Sequence, residues 1–140
     1  MTIAPGPRIL SIRQPFAWAI LAGRKKVENR TWNTEYRGTV YLHAGKAFDR
    51  EGLEWITEEL GLRVPKDLPM GAIVGVCTLR DVLTRDPKHV YGDWFGGPYG
   101  FVLSRPRALA RPIPLLGNLG LYTAPPGIVR RVERQLGSAL

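Results

Sequence analysis

The chain has 140 residues, a formal net charge of +8 and a single cysteine, Cys77. That length suits one domain spanning residues 1–140 with a proper core, and no apolar run approaches the length a membrane helix needs. One cysteine excludes an internal disulfide framework, and Met1 to Pro7 lacks the hydrophobic region of an export signal, so a reducing cytoplasm is the expected compartment.

In chain order, Ile9–Ile12 reads as a short buried strand, and Pro15 opens a helix, PFAWAILA, that ends at Gly23. From Lys26 to Trp32 the pattern alternates with period two, placing Glu28, Arg30 and Trp32 on one face with Lys25 at the turn beside them. Residues 33–38 read as a turn. Thr39–Ala44 follows as a strand with Val40, Leu42 and Ala44 on one side, expected to form an antiparallel hairpin with the strand before it. Asp49 caps a predicted helix, Arg50–Leu60, whose inward stripe is Leu53, Ile56 and Leu60; its glutamates should keep it away from a polyanion surface.

Gly71–Val82 is apolar on both alternating faces and is expected to lie centrally in a sheet, with Cys77 as a small core residue. Residues 83–98 form a long loop in which Trp94 and Phe95 require either a hydrophobic seat or a ligand. Two further strands, Tyr99–Ser104 and Arg107–Leu115, are separated at Arg105-Pro106, and a short extended piece follows. The last helix, introduced by Pro125-Pro126, turns Ile128, Val129, Val132 and Leu136 inward and Arg130, Arg131 and Arg134 outward. Six or so strands with about three peripheral helices indicate an α+β domain built on a small, mostly antiparallel barrel.

Charge is unevenly spread. Residues 1–46 carry eight Lys/Arg against Glu28 and Glu35, residues 47–69 carry three against six, and residues 101–140 carry six arginines against Glu133. If the two basic ends meet in the fold they make one surface suited to phosphate, since a guanidinium fork binds two oxygens at once. No zinc-ligand set is available from Cys77, His43 and His89, and no phosphate-binding glycine loop is present, so no metal and no cofactor are expected. His43 reads as a surface or hydrogen-bonded residue.

The ordered motifs Leu10-Ser11-Ile12-Arg13-Gln14-Pro15-Phe16-Ala17-Trp18, Gly23-x-Lys25-x-x-Glu28-x-Arg30-x-Trp32, and Tyr36-Arg37-Gly38 resemble an ASCH domain (activating-signal-cointegrator homology). So do Gly71–Val76, Gly100–Leu103 and Pro112-Ile113-Pro114. The resemblance covers roughly residues 9–122. It implies a PUA-like β-barrel, whose relatives bind RNA or modified bases, with the motif residues lining a cleft beside the first helix. The expected partner is then RNA or DNA, single-stranded or with an exposed base, held in a basic cleft around the G-x-K-x-x-E-x-R motif.

Within that cleft Lys25 and Arg30 neutralise phosphate, Glu28 orients Arg30 or accepts from a base amino group, and Trp18 and Trp32 offer stacking faces. The other motif positions expected in the site are Arg13, Gln14, Lys26 and Arg37. The competing structural reading makes Glu28–Arg30 an ion pair closing the barrel mouth and Trp18 a core residue. Some ASCH proteins hydrolyse acylated cytidine, and ribonuclease activity has been proposed for others. A hydrolase of that kind would use Lys25 as base and Glu28 as acid or base, although the amidohydrolase type has threonine where this chain has Glu28. Lys25 needs a lowered pKa to act so, and Glu28 works against that.

Overall fold

A computed structural model describes residues 6–88 and 90–137. Six strands form one mixed sheet: β1 (Arg8–Gln14), β2 (Val27–Arg30), β3 (Gly38–Phe48), β4 (Ala72–Leu83), β5 (Tyr99–Pro114) and β6 (Leu121–Thr123). Their spatial order is β2-β5-β4-β3-β1-β6. The helices are α1 (Phe16–Leu21), α2 (Arg50–Glu58) and α3 (Pro126–Leu136), with a 3-10 turn at Gly92–Trp94.

The sheet is open rather than closed into a barrel, with β2 and β6 at its two edges. Four of its pairings are antiparallel, but β1 and β3 run parallel, with Leu10 opposite Leu42. The expected hairpin between β2 and β3 does not form. Residues 31–37 are too long and irregular for a tight turn and let the chain cross the sheet. β2 instead pairs antiparallel with β5, seating Val27 opposite Val102, while β3 lies between β4 and β1.

The two strands expected on either side of Arg105-Pro106 are one sixteen-residue strand. Arg105 takes a left-handed φ of 52°, which absorbs the bend, and the β4–β5 register slips between Val76 and Thr78 opposite it. Both faces of β4 are covered over residues 72–77, as that apolar run requires, while Arg80 and Asp81 near its end are exposed. One core holds Leu10, Ile12, Leu42, Val74, Leu79 and Phe101 and packs against residues of α1. The other holds Ile9, Tyr41, Ile73, Val76 and Ile113, with Val132 of α3 fully buried against it. Alternation along β1 and β3 therefore sends successive residues to opposite cores.

Two glycines set the approach of the helices. A Cβ on Gly75 of β4 would collide with the Leu21 side chain of α1, and one on Gly52 of α2 would meet the Phe16 ring at 2.5 Å. Asp49 caps α2 as expected, its carboxylate accepting from the Gly52 N–H at 2.8 Å. On the far side α3 is clamped to β5 by Gln135, which accepts from the Arg111 N–H and donates to the Arg111 carbonyl as a strand neighbour would. No helix among the described residues is long and apolar enough to cross a membrane.

Candidate nucleic-acid interface

The segment that leaves α1 and enters β2 brings three charged side chains together. Lys25 Nζ lies 3.4 Å from Glu28 Oε1, and Arg30 Nη2 lies 2.9 Å from Glu28 Oε2. Arg30 also donates to the Ser11 carbonyl at 2.7 Å, which ties β2 to β1. Side-chain exposure rises outward from Lys25 (5%) through Glu28 (12%) to Arg30 (21%). One carboxylate thus serves two cations at the base of a cleft of about 840 Å³.

Aromatic rings form much of the cleft wall. The Lys25 ammonium sits 5.1 Å from the ring centroids of both Phe16 and Trp94, close enough for cation–π attraction. Trp94 meets Trp55 edge-on at 5.2 Å, and Trp32 meets Phe101 in the same way. Phe16, Trp32, Trp55 and Trp94 all line the cleft. Burial pushes the Lys25 ammonium below its ordinary range; Glu28 pulls it back up without cancelling the effect, and Arg30 pushes it further down. Desolvation outweighs the carboxylate that was expected to hold the lysine at its usual value.

The lining charge corrects the expectation of a basic cleft. Arg13, Lys25 and Arg30 are balanced by Glu28, Asp49 and Asp93. The position of α2 is also corrected. Asp49 and Trp55 line the cleft, because Phe16 docks on Gly52, while Glu51, Glu54, Glu58 and Glu59 point to solvent.

The other sequence-predicted residues divide. Arg13 is exposed at the cleft, and Trp32 is a half-buried part of its wall. Gln14 is 1% exposed and lies outside the lining. Its Oε1 accepts from the Trp18 N–H at 2.9 Å, and its Nε2 donates to the Pro69 carbonyl at 3.0 Å, so it fastens the start of α1. Trp18 is half-buried and does not reach the cleft. Lys26 is exposed, borders a different pocket and accepts through its carbonyl from the Leu103 N–H. Arg37 is exposed on the loop before β3, bonded to the Thr34 and Tyr36 carbonyls and 4.0 Å from Asp81.

His43 is buried and fully engaged. Its Nε2 is 2.6 Å from the Leu115 carbonyl, which only an N–H satisfies, so Nδ1 is left to accept from the Ser11 hydroxyl at 3.0 Å. Cys77 is buried, and desolvation pushes its thiol up to about 12, as a core role requires. His89 lies outside the described residues. No group of three potential metal-binding side chains is placed together among the described residues.

Trp94 and Trp55 are the main site residues the sequence alone did not place. The signal for Trp94 was its position in a loop with no apolar stripe to bury it. Asn29 fixes that loop, donating to the Trp94 carbonyl and accepting from the N–H groups of Gly96 and Gly97.

The sequence profile of the ASCH domain matches residues 10–96, which span the motif and every cleft-lining residue but Gly97. The chain belongs to the ASCH domain family. Activating signal cointegrator 1 from Homo sapiens is 26% identical to this ASCH domain over 120 residues, covering 78% of the chain and 21% of that protein. The Mus musculus protein of the same name is 27% identical over the same coverage. The chain therefore spans about a fifth of the length of these relatives. A solved structure of ASCH from Zymomonas mobilis superposes with a TM-score of 0.56 at 17% identity, covering 95% of this chain and 94% of that one. That similarity establishes the fold the two share.

Proposed function

We propose that this ASCH domain binds RNA or DNA by taking one unpaired base of the strand into the aromatic cleft. The observation that carries this reading is Lys25 and Glu28 set at the base of a wall made by Phe16, Trp32, Trp55 and Trp94, in a cleft whose lining charges cancel. A polyanion running through the cleft would meet three carboxylates. A neutral, flat base gains stacking against indoles, worth about 1–3 kcal/mol per base, and finds acceptor and donor groups in Glu28 and Arg30.

The excess positive charge lies outside the cleft and serves the backbone, independent of sequence. The meeting of the basic ends supports this: β1 pairs with β6, and Lys26 bonds to Leu103. The family is often linked to RNA binding, which agrees with the reading.

The test is a titration of intrinsic fluorescence with single-stranded and duplex RNA and DNA over a salt series. Binding should prefer single strands and weaken as salt rises. Trp94→Ala should weaken it about tenfold, and Arg30→Ala should cost more than Arg134→Ala. Equal losses at Arg30 and Arg134, with Trp94→Ala silent, would reduce the protein to a diffuse basic surface.

A second reading is favoured by one observation, the lowered pKa of Lys25 beside a carboxylate in a cleft. In a hydrolase of modified nucleosides or RNA, Lys25 would act as base and Glu28 as acid or base. Turnover of acylated cytidine or labelled RNA that disappears in Lys25→Ala would establish it. No turnover with either substrate would leave binding alone.

A further inference from the structure

A second, smaller pocket of about 200 Å³ lies across Lys25 from the aromatic cleft. Four separate stretches of chain build it: Ile20 to Lys26 from the end of α1 to the start of β2, Arg80 of β4, Tyr91 of the loop that follows, and β5 from Val102 to the bend at Pro106. Its charged lining is Lys25, Lys26, Arg80 and Arg105, with no carboxylate among them. The Lys25 ammonium is answered by Glu28. Among the described residues, Lys26, Arg80 and Arg105 have no carboxylate within ion-pair distance. Arg80 is steadied instead by a neutral hydroxyl, Tyr91 Oη at 3.1 Å, so its orientation is set while its charge remains uncompensated.

The backbone at this pocket is unusual as well. Arg105 is one of two described non-glycine residues with positive φ, and that conformation turns the strand at the pocket. A β-strand has no intrinsic need for an arginine in a left-handed position, and such conformations recur where a ligand is held. Bringing three cations from distant parts of the sequence around one concavity is repulsive until an anion enters. The space accommodates a tetrahedral oxyanion with water, and the hydroxyls of Ser104 and Tyr91 add neutral donors beside the guanidinium forks.

We propose that this pocket binds a phosphate group of the nucleic-acid strand whose base enters the aromatic cleft. Lys25 borders both spaces, so base and phosphate are recognised on either side of one residue. The identity of the strand rests on the base-binding reading above; the phosphate site itself does not.

The experiment compares wild type with an Arg80→Gln/Arg105→Gln variant by fluorescence anisotropy over a salt series. The first probe is an abasic oligodeoxynucleotide carrying a 5′-phosphate, which offers sugar and phosphate without bases. The second is single-stranded RNA with or without a 5′-phosphate. The variant should bind both 5′-phosphorylated probes about tenfold more weakly, and the slope of log affinity against log salt should fall by about 0.7, the value for one single-strand phosphate contact. Unchanged affinity and slope on the abasic strand would overturn the proposal.

If wild type loses affinity to the variant's level when the 5′-phosphate is removed, the occupant is a terminal monoester. If it does not, the occupant is an internal diester; either result supports the site. Trp94→Ala separates the two claims, because a variant that binds both strands normally removes the base cleft and leaves the phosphate pocket standing. Lys26→Gln/Arg80→Gln, which leaves the bend intact, replaces the first variant if Arg105→Gln impairs folding, and the same losses are expected of it.

Discussion

Asn29 holds Trp94 from 65 positions away. Its side-chain amide donates to the Trp94 carbonyl at 2.9 Å, and its oxygen accepts from Gly96 and Gly97 at 2.8 and 3.1 Å. The wall of the cleft contributed by the loop is therefore bolted to the strand that carries Glu28 and Arg30.

Replacing Asn29 by alanine removes all three bonds, each worth about 1 kcal/mol net. The loop should loosen while the sheet stays folded. Hydrogen exchange at the Gly96 and Gly97 amides should quicken more than tenfold, and single-stranded RNA should bind about tenfold more weakly. Unaltered exchange at those two amides would show that the loop is held by other means.

Glu28→Gln leaves Lys25 and Arg30 facing one another without a carboxylate. Loss of one partner from a largely buried ionic cluster should cost about 2–3 kcal/mol, read by urea unfolding. Glu28→Ala should cost at least as much. A variant as stable as wild type would mean that water, rather than Glu28, carries the two cations.

The lowered pKa of Lys25 has a defined pH signature. The unfolded chain holds this proton up to the ordinary value of 10.5, whereas the folded chain releases it earlier. The resulting penalty on stability is complete at pH values below the folded pKa and is relieved as pH rises through it towards 10.5. The groups facing the ammonium are Glu28, Arg30 and the rings of Phe16 and Trp94. The stability of Lys25→Met relative to wild type should therefore decline as pH rises through the folded pKa of Lys25 towards 10.5. A flat or rising difference would contradict the desolvation of Lys25.

Cys77 carries the opposite sign. Burial raises its thiol from 9.0 to about 12, so the unfolded chain ionises first and the folded state loses stability from pH 9 upward. Cys77→Val should flatten that decline by on the order of 2 kcal/mol between pH 9 and 11. Tyr41, also raised to about 12, accounts for part of what remains. Coincident alkaline curves for the two proteins would place the thiol in contact with solvent.

What the sequence disclosed was mainly local. The apolar run of β4, the Asp49 cap of α2, the inward stripe of α3 and the shared face of Glu28 and Arg30 each follow from residues a few positions apart. What it concealed depends on contacts across the chain. Val27 meeting Val102 sent β2 to β5 instead of β3, and nothing in either segment encodes that choice locally. Arg105-Pro106 carried the composition of a break yet serves as a bend within one strand. Gln14 and Trp18 sit within the family motif, but the backbone of α1 and Pro69 occupy the Gln14 amide, so the motif also encodes its own scaffold. Trp55 reached the site because Gly52 lets α2 close on Phe16, a consequence of one missing side chain in a helix whose charge argued for distance.

β2 is four residues long, lies at the rim of the sheet and, among the described residues, is laddered only to β5. Glu28, Asn29 and Arg30 all ride on it. Fraying of that one ribbon would scatter the acid, the guanidinium and the bolt on the tryptophan loop while β3 and β4 kept their places. Warming or mild denaturant should accordingly extinguish ligand capture well before the far-ultraviolet signal changes, so that a molecule still counted as native has already gone blind.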